Sequence, residues 1–409
     1  MNDAENLSKL LGHLPPAVFR EFMVEEFELT VPALDKKQTK RDQRAEMETV
    51  LSGLDINHRQ RIEEVAERIV LLSDGAGQDV IEGFRDDIFD PKDQEAFAGI
   101  RNQYERALWL HINAPTLFDE AMNARQADVF RQSASCYSGF IAPKDLSVLE
   151  DEPSRQAFHH AVAEELGCEI DSVAVQVFKR LRPDTQTGEE VDLYQISVHH
   201  NRPPEIIDCV QASELVSQEV VRAVSSHITY EPANGHLEVL SKDTDGREAL
   251  ARIVADSLLQ SPITGEKIPL KQYDYQSLAG PRNFDIAGEA VASVKVIELG
   301  YLGDNHRSLM VKIWTKDADD IHAAARSLIS PQFDFRDHQI NYAKISIRTK
   351  KVGADRARTI SVILRDDNKC NIKTKREKDR ALCDRLLVKW NLVKVIGHVP
   401  EETLDTLAA

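Results

Sequence analysis

Near the C-terminal end, Asp355, Asp367 and Lys369 have the residue types of a magnesium-dependent nuclease, with carboxylates to hold the ion and a lysine to position the attacking water. The competing reading places Asp366, Asp367 and Asn368 in a turn after the strand TISVILR, where Asp and Asn serve the backbone. Other titratable clusters carry less. His160 and Glu164 stand one turn apart beside His159 and Glu165 on a helix predicted over 154–166, but no second histidine follows at HExxH spacing, so a solvated helix face is expected. His199, His200, Asn201 and Arg202 close a predicted strand, whose adjacent side chains point to opposite faces, so at most one of the two histidines enters any one site. Gly75-Ala76-Gly77 begins like a dinucleotide fingerprint, yet it follows a helix and lacks both the third glycine and a preceding strand. No motif fixes a reaction. No metal or cofactor is expected outside the nuclease reading, which would need magnesium.

The charge distribution says more. The chain of 409 residues has a formal net charge of −17, but residues 348–380 carry twelve Lys or Arg against five Asp or Glu. Over 340–394 the balance is sixteen against six, a net of +10, while residues 1–339 hold a net of −24. A split of this kind is compatible with a polyanion at one end and other partners elsewhere.

Within that basic stretch, Thr374 and Glu377 have capping-box spacing, which predicts a helix starting near Thr374. Lys373, Lys375, Arg376 and Lys378 would then crowd the positive end of the helix dipole, a placement favourable only with an anion nearby. Arg348, Lys350, Lys351, Arg356 and Arg358 gather around the turn of the preceding hairpin. These nine cations and Thr374 form the expected anion or nucleic-acid surface, contacting phosphates rather than stacking on bases, because Tyr342 and Trp390 are the only aromatic rings of the Phe, Tyr or Trp type from Ile340 onward. The plainer alternative is that the same cations protect strand edges and keep the chain in solution.

The elements that must position these residues follow from periodicity. Residues 1–131 read as helices, including one continuous helix from Pro91 carrying Phe97, Ile100, Tyr104, Leu108 and His111 on one face. Residues 132–153 read as a connecting segment. Residues 154–280 read as an α+β domain with two hairpins, the second marked by Asn234-Gly235, followed by a helix capped by Asp245 and Glu248. Residues 285–395 repeat the order strand, strand, helix twice, and 396–409 form a tail. The fold class is therefore α+β, an all-helical N-terminal region followed by antiparallel sheets with helices on one face.

With 42% hydrophobic residues the chain can bury more than one core, and no apolar run approaches the ~20 residues that cross a bilayer. The beginning of the chain lacks a basic segment followed by a long apolar one, and the five cysteines at 136, 168, 209, 370 and 383 are scattered, so a cytoplasmic protein with reduced thiols and no membrane partner is expected. The leading expectation is a non-catalytic adaptor or regulatory protein that binds nucleic acid through its basic C-terminal domain and a protein partner through its acidic helical domain. The alternatives are the nuclease and a pure protein-interaction subunit of a larger assembly.

Overall fold

A computed structural model describes residues 4–396, apart from 36, 89, 185–186, 212–213, 303–307, 313–320 and 352–355. Two units are distinguished, Met1–Val129 and Phe130–Ala409, and the architecture is α+β. No helix among the described residues is long and apolar enough to cross a membrane.

Helices build the first unit: α1 (Glu5–His13), α2 (Pro16–Phe27), α3 (Lys40–Ser52), α4 (Ile56–Ser73), α5 (Gly75–Glu82), α6 (Pro91–Gly99), α7 (Gln103–Asn113) and α8, which runs over Pro115–Arg131. Leu7, Leu10, Phe19, Phe22, Ile62, Ile69, Leu72 and Leu108 are buried among them. Local chemistry sets the starts. Thr39 and Asp42 form a reciprocal capping box, and Asp55 accepts from the amides of Asn57 and His58. The continuous helix expected from Pro91 is instead two helices. Asn102 stops the first from continuing, because its side chain accepts from the amides of Tyr104 (2.9 Å) and Glu105 (3.3 Å) and so starts α7 afresh. Gly75-Ala76-Gly77 is the first turn of α5, where the Asp74 carboxylate accepts from the Gly77 amide at 2.6 Å. A Cβ on Gly77 would meet the Leu72 backbone at 2.5 Å, so this glycine serves close packing.

In the second unit the chain runs through β1 (Tyr137–Ile141), α9 (Glu152–Leu166), β2 (Val173–Pro183), β3 (Glu190–Asn201), β4 (Glu205–Gln211), β5 (Glu214–Val220), β6 (Ala223–Glu231), β7 (His236–Leu240) and α10 (Gly246–Val254). It continues through β8 (Lys271–Tyr273), β9 (Val291–Leu302), β10 (Ser308–Lys312), α11 (Ile321–Leu328), β11 (Gln339–Thr349), β12 (Thr359–Arg365), β13 (Lys369–Cys370), α12 (Glu377–Lys389) and β14 (Val393–Val395). Two five-stranded antiparallel sheets result, in the orders β1-β7-β6-β3-β2 and β10-β9-β11-β12-β13; β4-β5 and β8-β14 form separate two-stranded ribbons. Among the described residues the order strand, strand, helix occurs as β6-β7-α10 and β9-β10-α11, and again as β11-β12-α12 with the two-residue β13 inserted before the helix.

Alternation decides what each sheet face meets. In the first sheet Ile196, Val198, Ile228, Leu237 and Val239 pack with Phe158, Val162, Leu250 and Val254 of α9 and α10. The intervening residues of the same strands, among them Leu193, Gln195, Thr229, Glu231, His236 and Glu238, turn to the opposite face, where all of these but the half-buried Glu238 are also buried. In the second sheet Ile345, Ile347, Ile360, Val362 and Leu364 share a core with Leu386, Leu387 and Trp390 around α12.

Several local expectations change. Tyr137–Ile141, expected within a connecting segment, pairs with β7 as an edge strand of the first sheet. The β6-β7 hairpin closes at Glu231 opposite His236, so Asn234-Gly235 ends a four-residue loop instead of forming a two-residue turn. Gly235 has φ +73° there, and a Cβ on it would lie 2.2 Å from the Ala142 carbonyl oxygen. Gly235→Ala is therefore expected to destabilise by at least about 1–3 kcal/mol, read as a lower denaturant midpoint; an unchanged midpoint would refute the steric account. Asp245 precedes α10 without a side-chain cap. Most consequential, α12 begins at Glu377, with Arg376 at the N-cap position and no side-chain cap. Thr374 lies in the preceding 3₁₀ turn and donates to the Asn371 carbonyl at 2.8 Å. The expected Thr374–Glu377 capping box does not form. The first turn of α12 carries Glu377 and Asp379, which suit the helix dipole and offset Lys378 and Arg380 of the same turn.

Candidate anion-binding cavity

The basic stretch separates into two groups. Arg348, Lys350, Lys351 and Arg356 are exposed near the turn end of the β11-β12 hairpin. Close to them Arg358 and Arg376 converge on Asp379, with the Arg358 Nε at 3.0 Å and the Arg376 Nε at 3.4 Å, so these two are largely neutralised. Lys375 is half-buried and Lys378 exposed. Lys373 and Thr374 belong to a different place: they line a cavity of about 1080 Å³. The cavity is bounded at the hairpin by Tyr342, Ile363 and Arg365. Six residue steps along β11, about 20 Å, separate Tyr342 from Arg348. The single surface expected from sequence is thus two sites.

The cavity takes its walls from both sheets. The first sheet contributes Tyr137 and Gly139 from β1, Arg182 from β2, Thr229 and Glu231 from β6, and His236 and Glu238 from β7. Lys271 and Tyr273 of β8, the turn Asp367–Lys369, the segment Cys370–Thr374, and Arg380 and Asp384 of α12 complete it. Eight of the lining side chains are Lys or Arg (Arg131, Arg182, Lys267, Lys271, Arg365, Lys369, Lys373, Arg380) and four are Asp or Glu (Glu231, Glu238, Asp367, Asp384), a net of +4.

Four of these cations are matched with the four carboxylates. Arg131 Nε meets Glu238 at 2.8 Å, Arg182 pairs with Glu231, Lys271 Nζ meets Asp384 Oδ2 at 2.7 Å, and Lys369 Nζ meets Asp367 Oδ2 at 2.8 Å. Arg380 lies 3.4 Å from Glu377, whose carboxylate also receives both terminal nitrogens of Arg180 at 2.9 and 3.2 Å. Lys373 differs. Its ammonium sits 3.0 Å from the centroid of the Tyr137 ring, and it makes no ion pair among the described residues. Burial pushes its pKa down to about 8; Glu238 opposes this, while Lys271, Arg131 and Arg380 add to it.

The remaining titratable groups are tuned by the same surroundings. Burial pushes the Glu238 carboxyl up, but Arg131 and Arg182, with Lys373, outweigh it and hold it well below the usual range. Burial and then Glu238 drive the Tyr137 phenol well above its ordinary value. Burial lowers His236 to about 4, so at neutral pH it is uncharged, with its Nε2 3.0 Å from the Ile396 carbonyl that it donates to. Burial raises the Cys370 thiol to about 12, which makes it inert as a nucleophile near neutrality. Among the described residues, Arg182 Nε, Glu231 Oε1 and Asp384 Oδ1 on the wall lack a hydrogen-bond partner, and Glu231 and Asp384 are each only 1% exposed.

The other sequence candidates lie elsewhere or hold structural bonds. In the nuclease set, Asp355 is outside the described residues. Asp367 and Asn368 have φ +60° and +55° in the turn that joins β12 to β13, and Asn368 accepts from the Tyr273 amide at 2.8 Å while donating to the Lys271 carbonyl at 2.6 Å. Among the described residues no group of three His, Cys, Asp or Glu is placed to hold a metal ion. His159 bonds the Val173 carbonyl at 2.8 Å, while His160 and Glu164 are exposed. His199 bonds Ser225 at 2.8 Å and burial lowers its pKa; neither it nor His200 lines the cavity.

Most of the cavity was not singled out in the sequence. Arg131, Arg182, Glu231, His236, Glu238, Lys271 and Asp384 are spread over 254 positions and become neighbours only through the two sheets. The one usable signal is strand alternation: Arg180-x-Arg182 and His236-x-Glu238 place polar side chains two residues apart on a strand, with an apolar leucine, Leu181 or Leu237, between them. No protein-family model matches this chain, and no curated protein matches it.

Proposed function

We propose that the chain is a non-catalytic nucleic-acid-binding protein that holds phosphate at this cavity. The carrying observation is a half-buried lysine ammonium without a carboxylate partner among the described residues, in a cavity whose lining is net +4 within a chain of net −17. A cation partly withdrawn from water in that state carries a desolvation cost unless an anion joins it. The first 129 residues hold fifteen Lys or Arg and twenty-six Asp or Glu, a net of −11. That unit would repel a polyanion, which favours a protein partner for it and leaves phosphate to the second unit. Lys267, Arg365 and Lys369 at the exposed rim would track the phosphates that lead inward.

The test is the anisotropy of labelled single-stranded and duplex oligonucleotides titrated with the full chain at several salt concentrations. Affinity is expected to fall with salt, and Lys267→Glu with Lys369→Glu should weaken it at least about tenfold and reduce the salt slope by about 2. Absence of binding at low salt, or a flat salt dependence, would overturn the reading.

A further inference from the structure

We infer that the cavity is a pocket for a terminal phosphomonoester on a nucleotide, a proposal that rests on the phosphate-binding reading above and narrows it. Size is the first argument. At about 1080 Å³ the cavity is at the upper end of small-molecule sites, about 300–1,000 Å³. About one or two nucleotides fit such a space; a duplex does not.

Charge depth is the second argument. Arg131 and Arg380 are buried and Lys373 is half-buried, whereas Lys267, Arg365 and Lys369 are exposed. An internal phosphodiester carries one negative charge, but a terminal phosphomonoester carries about −1.5 to −2 at neutral pH, with three acceptor oxygens. The deep end already holds its carboxylates in ion pairs, so Lys373 is the surplus cation there. A dianion matches Lys373 together with the positive field of its arginine neighbours better than a monoanion does.

The third argument concerns the rest of the ligand. Asp384 Oδ1 is buried on the wall without a donor, while Oδ2 is occupied by Lys271. A phosphate cannot satisfy that oxygen, but a ribose hydroxyl or a base N–H can. Tyr273 and Tyr342 line the same cavity and offer ring surface to a base. Dianion, hydrogen-bond donor and flat ring together describe a nucleotide end, whether of a strand or of a free nucleotide.

The experiment compares four probes on the full chain: one single-stranded oligonucleotide with a 5′-phosphate, with a 3′-phosphate and with neither, and a free nucleoside monophosphate as competitor. A phosphorylated end is expected to bind at least about tenfold tighter than the unphosphorylated strand. That preference should vanish in Lys373→Met and persist in Lys373→Arg, with melting temperatures of both variants confirming the fold. Displacement by the free monophosphate at concentrations similar to those of the phosphorylated strand identifies a free nucleotide as the ligand; displacement by the strand alone identifies a strand end. Equal binding of all three strands would overturn the pocket and leave the broader reading standing. Binding of the monophosphate without any strand would keep the pocket and remove the nucleic-acid reading. Binding of none would remove both.

Discussion

Glu377→Ala is expected to lower the unfolding free energy of the second unit by about 3–5 kcal/mol, the range for removing one partner of a buried ion pair. Glu377 is 3% exposed and receives two hydrogen bonds from Arg180, itself 2% exposed, with Arg380 at 3.4 Å on the same carboxylate. The pair ties β2 of the first sheet to the first turn of α12, which packs on the second sheet. Removing the carboxylate leaves the Arg180 guanidinium charged, buried and short of its acceptors, because arginine does not neutralise itself by losing a proton. Replacing both residues by apolar ones of similar volume, Arg180→Met with Glu377→Leu, should recover most of the loss. Chemical denaturation of the wild type, the single variant and the double variant checks this. If the double variant is as unstable as the single one, the loss comes from packing at α12 and not from an orphaned charge.

The same pair shows what could and could not be read along the chain. The helix carrying Glu377 was expected from its periodicity, and so was the strand carrying Arg180, since VAVQVFKR alternates in the manner of a half-buried strand. What periodicity could not give is that the polar face of that strand is buried. Alternation normally marks one face for water, whereas here a second layer covers it, and Arg180 and Glu377 meet across 197 positions. Element type is a local property and was legible; the pairing of two polar faces is a long-range one and was not.

The candidate site failed to be legible for a related reason. Capping-box spacing at Thr374 and Glu377 is a genuine local signal, but the hydroxyl of Thr374 finds the Asn371 carbonyl first, and the helix starts three residues later. That shift moves Lys373 out of a helix terminus and into a cavity. It also brings Asp379 into the first turn, where it takes up Arg358 and Arg376. Positive charge near Lys373 was anticipated; the reason for it was misassigned. The short strand Tyr137–Ile141 was missed because five residues, YSGFI, show too little alternation to announce a strand, yet its Tyr137 ring is what Lys373 rests on.

Lys373 should therefore give ligand affinity a pH dependence opposite in consequence to its effect on the empty protein. Its neighbours set the sign: burial and the charges of Lys271, Arg131 and Arg380 disfavour the ammonium, Glu238 favours it, and its pKa falls to about 8 from the roughly 10.4 of an exposed lysine. In the empty protein the unfolded chain holds the extra proton between those two values, so stability rises with pH across that window. Lys373→Met, which removes the half-buried charge, should accordingly be more stable than wild type by roughly 1–3 kcal/mol below about pH 8, with the advantage fading towards pH 10. Anion binding requires the ammonium, so affinity for a phosphorylated end should decline as pH rises through about 8, by at most about tenfold per unit. Tyr137, on which the ammonium rests, stays protonated throughout because burial holds its phenol well above the ordinary value. Lys373→Arg, charged across the whole range, should flatten the profile. Anisotropy titrations from pH 7 to 9.5 and melting curves over the same range read both effects. A wild-type affinity that stays level through pH 8, or a Lys373→Met variant less stable than wild type at pH 7, would show that this lysine holds the fold together and does not await an anion.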